Sequence, residues 1–178
     1  MNNISKIYLA GGCFWCTEAV FKLLKGVHSV VPGYTGGGVA NPKYKQVCLG
    51  ITGHAEAVEV TYNFKEINLK TLLDVFFLTH DPTTLNRQGN DIGTQYRSAI
   101  FCLNDKDVNI CNEYIKSLTK KMKFNSNIVT TVEKLNKFYL AEIEHKDYYN
   151  LNKNQPYCSA IIGPKVRKFM ENKPNLIK

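Results

Sequence analysis

Two cysteines stand three residues apart where a short apolar run meets a helical pattern: Gly11-Gly12-Cys13-Phe14-Trp15-Cys16-Thr17-Glu18. A strand that turns directly into a helix leaves the first helical N–H groups unpaired. Those groups and the positive end of the macrodipole favour a thiolate, the nucleophilic form of cysteine. Cys13 is therefore the candidate nucleophile, with Cys16 about one helical turn away and within its reach. Three chemistries use such a pair. A zinc site needs a second ligand pair, but Cys48, Cys102, Cys111 and Cys158 are scattered and no further C-x-x-C or H-x-x-x-H occurs. A thioredoxin-like dithiol fits the strand-to-helix position, yet Phe14 and Trp15 are bulky where a disulfide-bearing protein would dock. A substrate-reducing thiol beside an apolar pocket gives both aromatics a use; failing that, they are core.

Four more blocks carry groups able to work with such a thiol: Gly33-Tyr34-Thr35-Gly36-Gly37, Gly53-His54-Ala55-Glu56-Ala57-Val58, Gln88-Gly89-Asn90-Asp91-Ile92-Gly93-Thr94-Gln95-Tyr96-Arg97-Ser98 and His145-Lys146-Asp147-Tyr148-Tyr149. Glu56 sits between two alanines at the start of an apolar strand pattern, where burial would raise its pKa and keep a proton available. Taken with Gly11 to Cys16, the five blocks run in colinear order from about residue 6 to 170 and resemble the A-type peptide methionine sulfoxide reductases (MsrA family).

The resemblance implies an enzyme that reduces methionine S-sulfoxide, free or in proteins, to methionine. A sulfoxide has a polarised S–O bond, so its reduction needs a nucleophile at sulfur, a proton donor at oxygen and a grip on the methyl group. Cys13 would attack sulfur and Glu56 would protonate oxygen. By resemblance, Tyr34 and Tyr96 are fixed hydrogen-bond donors to the oxygen, Asp91 orients substrate or water, and Phe14 and Trp15 cage the methyl group. His54 and His145 are supporting residues. The reaction would leave a sulfenic acid on Cys13, which a second thiol captures as a disulfide. Cys16 is preferred as that resolving thiol and Cys158 is the alternative, while Cys48, Cys102 and Cys111 are assigned to the core. Thioredoxin or another dithiol would then reduce the disulfide, with no bound cofactor. The runner-up reading is a general C-x-x-C thiol–disulfide oxidoreductase.

The elements that must position these groups are legible in outline. Residues 7–10 read as a strand, 17–24 as a helix and 28–31 as a strand entering an irregular Gly/Pro-rich loop to residue 38. Val58, Val60 and Tyr62 alternate with polar neighbours as in a half-buried strand, and Leu69, Leu72, Leu73, Phe76 and Phe77 stripe a helix. A long loop covers 80–96, of a length that compact folds keep for function. Residues 98–103 read as a strand, 108–118 as a helix, 128–132 as a β-branched run and 138–149 as a helix. This order predicts an α+β two-layer sandwich, a mixed sheet with helices mainly on one face in the manner of a ferredoxin-like plait with extra elements. A doubly wound sheet is the alternative.

The chain of 178 residues is expected to form a single domain, 1–178, since about 150 residues make one. Its 44% apolar content can fill a core and excludes intrinsic disorder. No apolar stretch is long enough for a membrane helix or resembles a secretory leader, which with six cysteines expected as thiols predicts a cytoplasmic monomer. The net charge of +8 is concentrated in residues 116–178, with thirteen Lys/Arg against five Asp/Glu. Without a nucleic-acid module it reads as solvated helix faces, and no nucleic-acid or membrane partner is expected.

Overall fold

The computed structural model describes residues 3–178. β1 (Ile4–Gly11) leads through a two-residue turn into α1 (Phe14–Phe21) and back along β2 (Val27–Thr35). The short α2 (Tyr44–Cys48), β3 (Ala55–Asn63) and α3 (Leu69–Thr79) follow. A two-residue-per-strand ribbon, β4 (Arg87–Gln88) with β5 (Asp91–Ile92), occupies the segment read as a loop, followed by β6 (Ser98–Cys102) and α4 (Asp105–Lys120). The chain ends with β7 (Thr131–Lys134), β8 (Phe138–Leu140), the single turn α5 (Tyr148–Leu151) and α6 (Gly163–Asn172).

β1 and β2 each run antiparallel to β3, which lies between them, so they are parallel to one another and α1 is their crossover. β6 adds antiparallel to the other side of β1. The resulting order β6-β1-β3-β2 is that of a ferredoxin-like plait, and the expected extra elements are β7, parallel to β6, and β8, antiparallel to β2.

The period of two along each strand divides the core. Ile7, Leu9, Val30, Val58, Val60 and Ile100 face α1, α3, α4 and α6, where Val20, Phe21, Leu72, Phe76, Leu118 and Phe169 meet them. Tyr8, Ala10, Ala55, Ala57, Ala99 and Phe101 face the other way, under Leu135 and Phe138. The helices start where side chains stop their orphan donors. Asn68 accepts from the Thr71 amide at 2.9 Å and Asn104 from the Asp107 amide at 2.9 Å, and α4 adds Asp105 and Asp107 in its first turn.

Two expectations are corrected. The segment around Tyr34 is strand rather than irregular loop: Tyr34 pairs with Glu56 on one side and Tyr139 on the other, so both edges of β2 find partners despite Pro32 and Gly33. Residues 138–149 are not one helix. They divide into β8, a 3₁₀ turn at Ile143–His145 and α5, because the open edge of β2 captures the first part and Asp147, at φ 57°, redirects the chain.

Gly33 permits the contact of β2 with β8. A Cβ there would lie 2.3 Å from Phe138 Cζ and 2.4 Å from the Tyr139 carbonyl. Gly33→Ala is expected to cost about 1–3 kcal/mol by overpacking this edge, read as a lower urea midpoint with an unchanged slope. An unchanged midpoint would show that β8 is held by other contacts.

Candidate active site

The strand-to-helix turn is built by three residues. Gly11 is fully covered, since a Cβ there would lie 2.8 Å from Phe76 Cε2, and Gly12 takes φ +91°, which L side chains rarely adopt. Cys13 is the N-cap residue of α1, its side chain caps nothing, and its carbonyl accepts from the Cys16 amide at 3.1 Å. The orphan amide of Phe14 donates instead to Glu56 Oε2 at 3.1 Å.

Glu56 projects from the helix-facing side of β3 in series with Val58 and Val60, and it is 1% exposed. Burial pushes its carboxyl up to about 8 against the opposing pull of the Phe14 amide, with the charges of Asp91 and Cys16 adding smaller rises. It is therefore a protonated acid at neutral pH.

The two thiols share a proton. Burial pushes the Cys13 thiol well above the usual cysteine value, with its hydrogen bond to Cys16 and the Glu56 charge adding to the effect. Cys16 is drawn down to about 7 by the Cys13 hydrogen bond, by the Lys165 charge and by the Tyr157 hydroxyl, against burial. The helix terminus acts on Cys13 through the Trp15 amide but does not outweigh burial. In the unliganded pair the thiolate consequently rests on Cys16, which sequence reasoning based on the helix dipole alone had assigned to Cys13.

Aromatic rings close around this turn. The Phe14 ring centroid lies 5.8 Å from that of Tyr34, 6.4 Å from Tyr44 and 5.3 Å from His145. Trp15 stacks on Tyr148 at 3.7 Å and donates from Nε1 to His145 Nδ1 at 3.2 Å. The Tyr34 hydroxyl donates to Glu142 Oε2 at 2.7 Å, and the Tyr44 amide donates to the other Glu142 oxygen at 2.9 Å. Burial would raise Glu142, but these two donors hold it below the usual range. Tyr96 is half-buried beside Glu56, Cys48 and Asp91, and its hydroxyl has no protein partner among the described residues.

The 80–96 segment delivers Asp91, which accepts from the Tyr157 hydroxyl at 2.6 Å. That hydroxyl lies 4.0 Å from Cys16 Sγ. Cys158, next in sequence, is fully buried in the π-helical turn Cys158–Ile162. Cys102 and Cys111 are buried as expected, 3.9 Å apart at sulfur. Cys48 is not core: it ends α2 half-exposed, facing the Tyr44 phenol at the rim of the site. His54 spends both ring nitrogens on backbone, accepting from Gly37 N at 3.0 Å and meeting the Val39 carbonyl at 2.7 Å. Among the described residues no three His, Cys, Asp or Glu side chains converge to hold a metal ion.

Sequence reasoning missed Tyr44, Glu142 and the bridging role of Tyr157. Glu142 lies three residues before His145 in a quoted block, and Tyr157 precedes a cysteine already singled out, so proximity to those motifs was the available signal. Glu18 was missed as well. It is buried and accepts from the Asp147 amide at 2.9 Å, and Lys22 bridges to Asp147 at 2.7 Å. This clamp ties α1 to the segment that carries Tyr148.

A family model described as peptide methionine sulfoxide reductase matches residues 5–176. The chain is 54% identical over 170 residues to peptide methionine sulfoxide reductase MsrA 1 of Rhodopirellula baltica, covering 96% of this chain and 88% of that protein. Among solved structures, reduced Mxr1 from Saccharomyces cerevisiae superposes with a TM-score of 0.80 at 36% identity, over 88% of this chain and 90% of that one. Mxr1 in complex with Trx2 matches at 0.56 and 27% identity, over 82% and 85% of the two chains.

A carboxyl raised by folding makes stability depend on pH. Glu56 is ionised in the unfolded chain above about 4.3 but stays protonated in the folded protein up to about 8. The folded state thus binds more protons, and stability falls as pH rises between those values. Glu56→Gln keeps an acceptor for the Phe14 amide and removes this cost. The variant is expected to be more stable than the parent by on the order of a few kcal/mol at pH 8 and equal to it at pH 4. Urea unfolding at both values checks this, and a variant less stable at pH 8 would contradict it.

Proposed function

The chain belongs to the peptide methionine sulfoxide reductase family and reduces methionine sulfoxide to methionine, and we propose how its own residues share that work. The observation that carries the assignment is the buried, protonated Glu56 held on the backbone of Phe14, one residue from Cys13. A carboxylic acid that accepts from the Phe14 amide still holds a proton to donate, and a sulfoxide oxygen beside it is a group that can accept it.

The methionine S-sulfoxide methyl group sits between Phe14 and Trp15, with its oxygen towards Glu56 and the unpartnered hydroxyl of Tyr96. Cys13 passes its proton to the Cys16 thiolate along the hydrogen bond they already share, and its sulfur attacks the sulfoxide sulfur. Glu56 protonates the oxygen. Cleavage of the S–O bond, with net transfer of OH to Cys13, releases methionine and leaves a Cys13 sulfenic acid, so the substrate gains two electrons and Cys13 loses two. Tyr34 contributes through a fixed phenol whose own proton is engaged by Glu142. Asp91, bridged to Tyr157, sets the wall beside Cys16 and orients substrate or water there.

Cys16 then attacks the sulfenic acid, expelling water and forming a Cys13–Cys16 disulfide. Its depressed pKa and its contact with Cys13 support it over Cys158, which is sealed in its π-helical turn. A thioredoxin or similar dithiol restores the pair, a proposal supported by the binding of Trx2 to Mxr1. No bound cofactor takes part in this scheme. Substrates are free methionine sulfoxide and oxidised proteins, so the activity serves repair of oxidative damage in the cytoplasm, whose reducing environment suits six free cysteines. A monomeric, single-domain enzyme completes the reading, the single domain supported by a family match that runs through residues 5–176.

Rate should rise with pH through about 7, as Cys16 becomes the thiolate base, and fall through about 8, as Glu56 loses its proton. Glu56→Gln is expected to slow reduction by about 10²–10⁴-fold and to abolish the upper limb. After one equivalent of methionine sulfoxide, alkylation and mass spectrometry should find a Cys13–Cys16 disulfide. Cys13→Ser should form no methionine, and Cys16→Ser should form one equivalent and then stop. Full turnover by Cys13→Ser would refute the nucleophile, and a Cys13–Cys158 disulfide would transfer the resolving role to the C-terminal segment.

A further inference from the structure

Beside the catalytic turn lies an open recess of about 690 Å³ whose lining includes none of the aromatic cage residues. Its floor is aromatic, made by Phe77 and Phe169 with Phe124 half-buried beside them. Its rim carries Lys123, Lys165 and Lys168. None of the three forms an ion pair among the described residues, although five such pairs occur elsewhere. The acid on the rim, Asp81, is occupied by the amide and hydroxyl of Thr83 at 2.9 and 2.6 Å. The recess is therefore apolar below, with three lysines against one carboxylate above.

It also abuts the chemistry. Gln88, on one wall, packs so closely on Gly12 that a Cβ there would lie 2.6 Å from Gln88 Cγ. His80, on another wall, covers Gly11 in the same way at 3.2 Å. Cys13 follows Gly12 directly, and consecutive Cα atoms are about 3.8 Å apart. The ribbon of β4 and β5 thus separates two chambers: Asp91 on its β5 strand borders the Cys16 side of the site, and Gln88 on β4 borders the recess.

We propose that this recess binds an unfolded segment of the protein substrate flanking the methionine sulfoxide, and selects segments in which carboxylates alternate with apolar side chains. The inference rests on the reading above that protein-bound methionine sulfoxide is reduced at Cys13. Apolar side chains fill the Phe77–Phe169 floor, and carboxylates meet the lysines. An extended chain can lay apolar side chains on a floor set below a charged rim, and oxidised methionine becomes reachable where a protein has locally opened. The charge excess of residues 116–178, of which the mechanism uses Lys165 alone, then has a wider use: Lys123 follows α4, and Lys165 and Lys168 belong to α6.

The test uses the full chain with dithiothreitol as reductant, so that no protein reductant needs to dock. Two peptides carry one methionine sulfoxide flanked by leucines and either glutamates or lysines. The acidic peptide is expected to have kcat/KM about three- to tenfold higher at low salt, with the gap closing as salt is added. Lys123→Glu with Lys168→Glu should reverse the preference, and the Lys123→Gln, Lys168→Gln pair should remove it, both without change in the reduction of free methionine sulfoxide. Equal kcat/KM for the two peptides in the parent, or a preference that survives the charge reversal, overturns the proposal. So does a substitution effect that emerges only with thioredoxin as reductant, which would assign the recess to that partner. A parent that fails on free methionine sulfoxide refutes the reductase scheme itself, a failure distinct from that of the recess.

Discussion

The hydrogen bond from the Phe14 amide to Glu56, 3.1 Å long, joins the first turn of α1 to the central strand β3 across the core. A buried carboxyl is costly when ionised and tolerable when neutral. The amide is also one of the donors that a helix start leaves without a partner. Each group solves the other's problem, and the solution fixes the distance between the cysteine turn and the acid. Because β3 pairs with both β1 and β2, any shift of its register would carry Glu56 away from Cys13. The plait therefore acts as a jig for two side chains from distant parts of the sequence.

Around that bond, charge is arranged in opposition. Glu56 and Asp91 lie near Cys13 and Cys16, and Lys165 approaches Cys16 from α6. Burial, helped by negative neighbours, keeps protons on Cys13 and Glu56, whereas the Cys13 hydrogen bond, helped by Lys165, takes one from Cys16. Two thiols that would titrate alike in water are thereby divided into a protonated nucleophile and a base, and a carboxyl that water would ionise becomes the acid. The Glu18–Asp147–Lys22 clamp and the Glu142 bridge do no chemistry in the proposed scheme. They hold Tyr148, Tyr34 and Tyr44 against the turn, so that the cage around Phe14 and Trp15 is set before a substrate arrives.

Much of this was legible before the structure. Periodicity identified the strands at Val58–Tyr62 and the helix at Leu69–Phe77, because a half-buried strand and a striped helix each write their period directly into the residues. The C-x-x-C turn and Glu56 were legible for chemical reasons. Tyr34 was misread as loop because Pro32 and Gly33 are turn formers locally, and only the edges offered by β3 and β8, remote in sequence, make a strand of them. Residues 138–149 failed for the same reason. The proton balance between Cys13 and Cys16 was invisible because it depends on burial and on Lys165, about 150 positions along the chain. Glu142 and Tyr157 escaped because a carboxylate or a phenol among many polar neighbours carries no mark of the partner it will meet.

The protein has one tryptophan, and it is Trp15. Stacked on Tyr148 and hydrogen-bonded to His145 between the two cysteines, it makes the indole emission of the molecule, excited where the ten tyrosines do not absorb, a signal from a single point in the catalytic turn. A thiol, a thiolate and a disulfide quench an indole to different degrees, so each redox state of the pair carries its own optical signature. The progress of a catalytic cycle is consequently written in the protein's own indole fluorescence, without a label and with no second tryptophan to blur it.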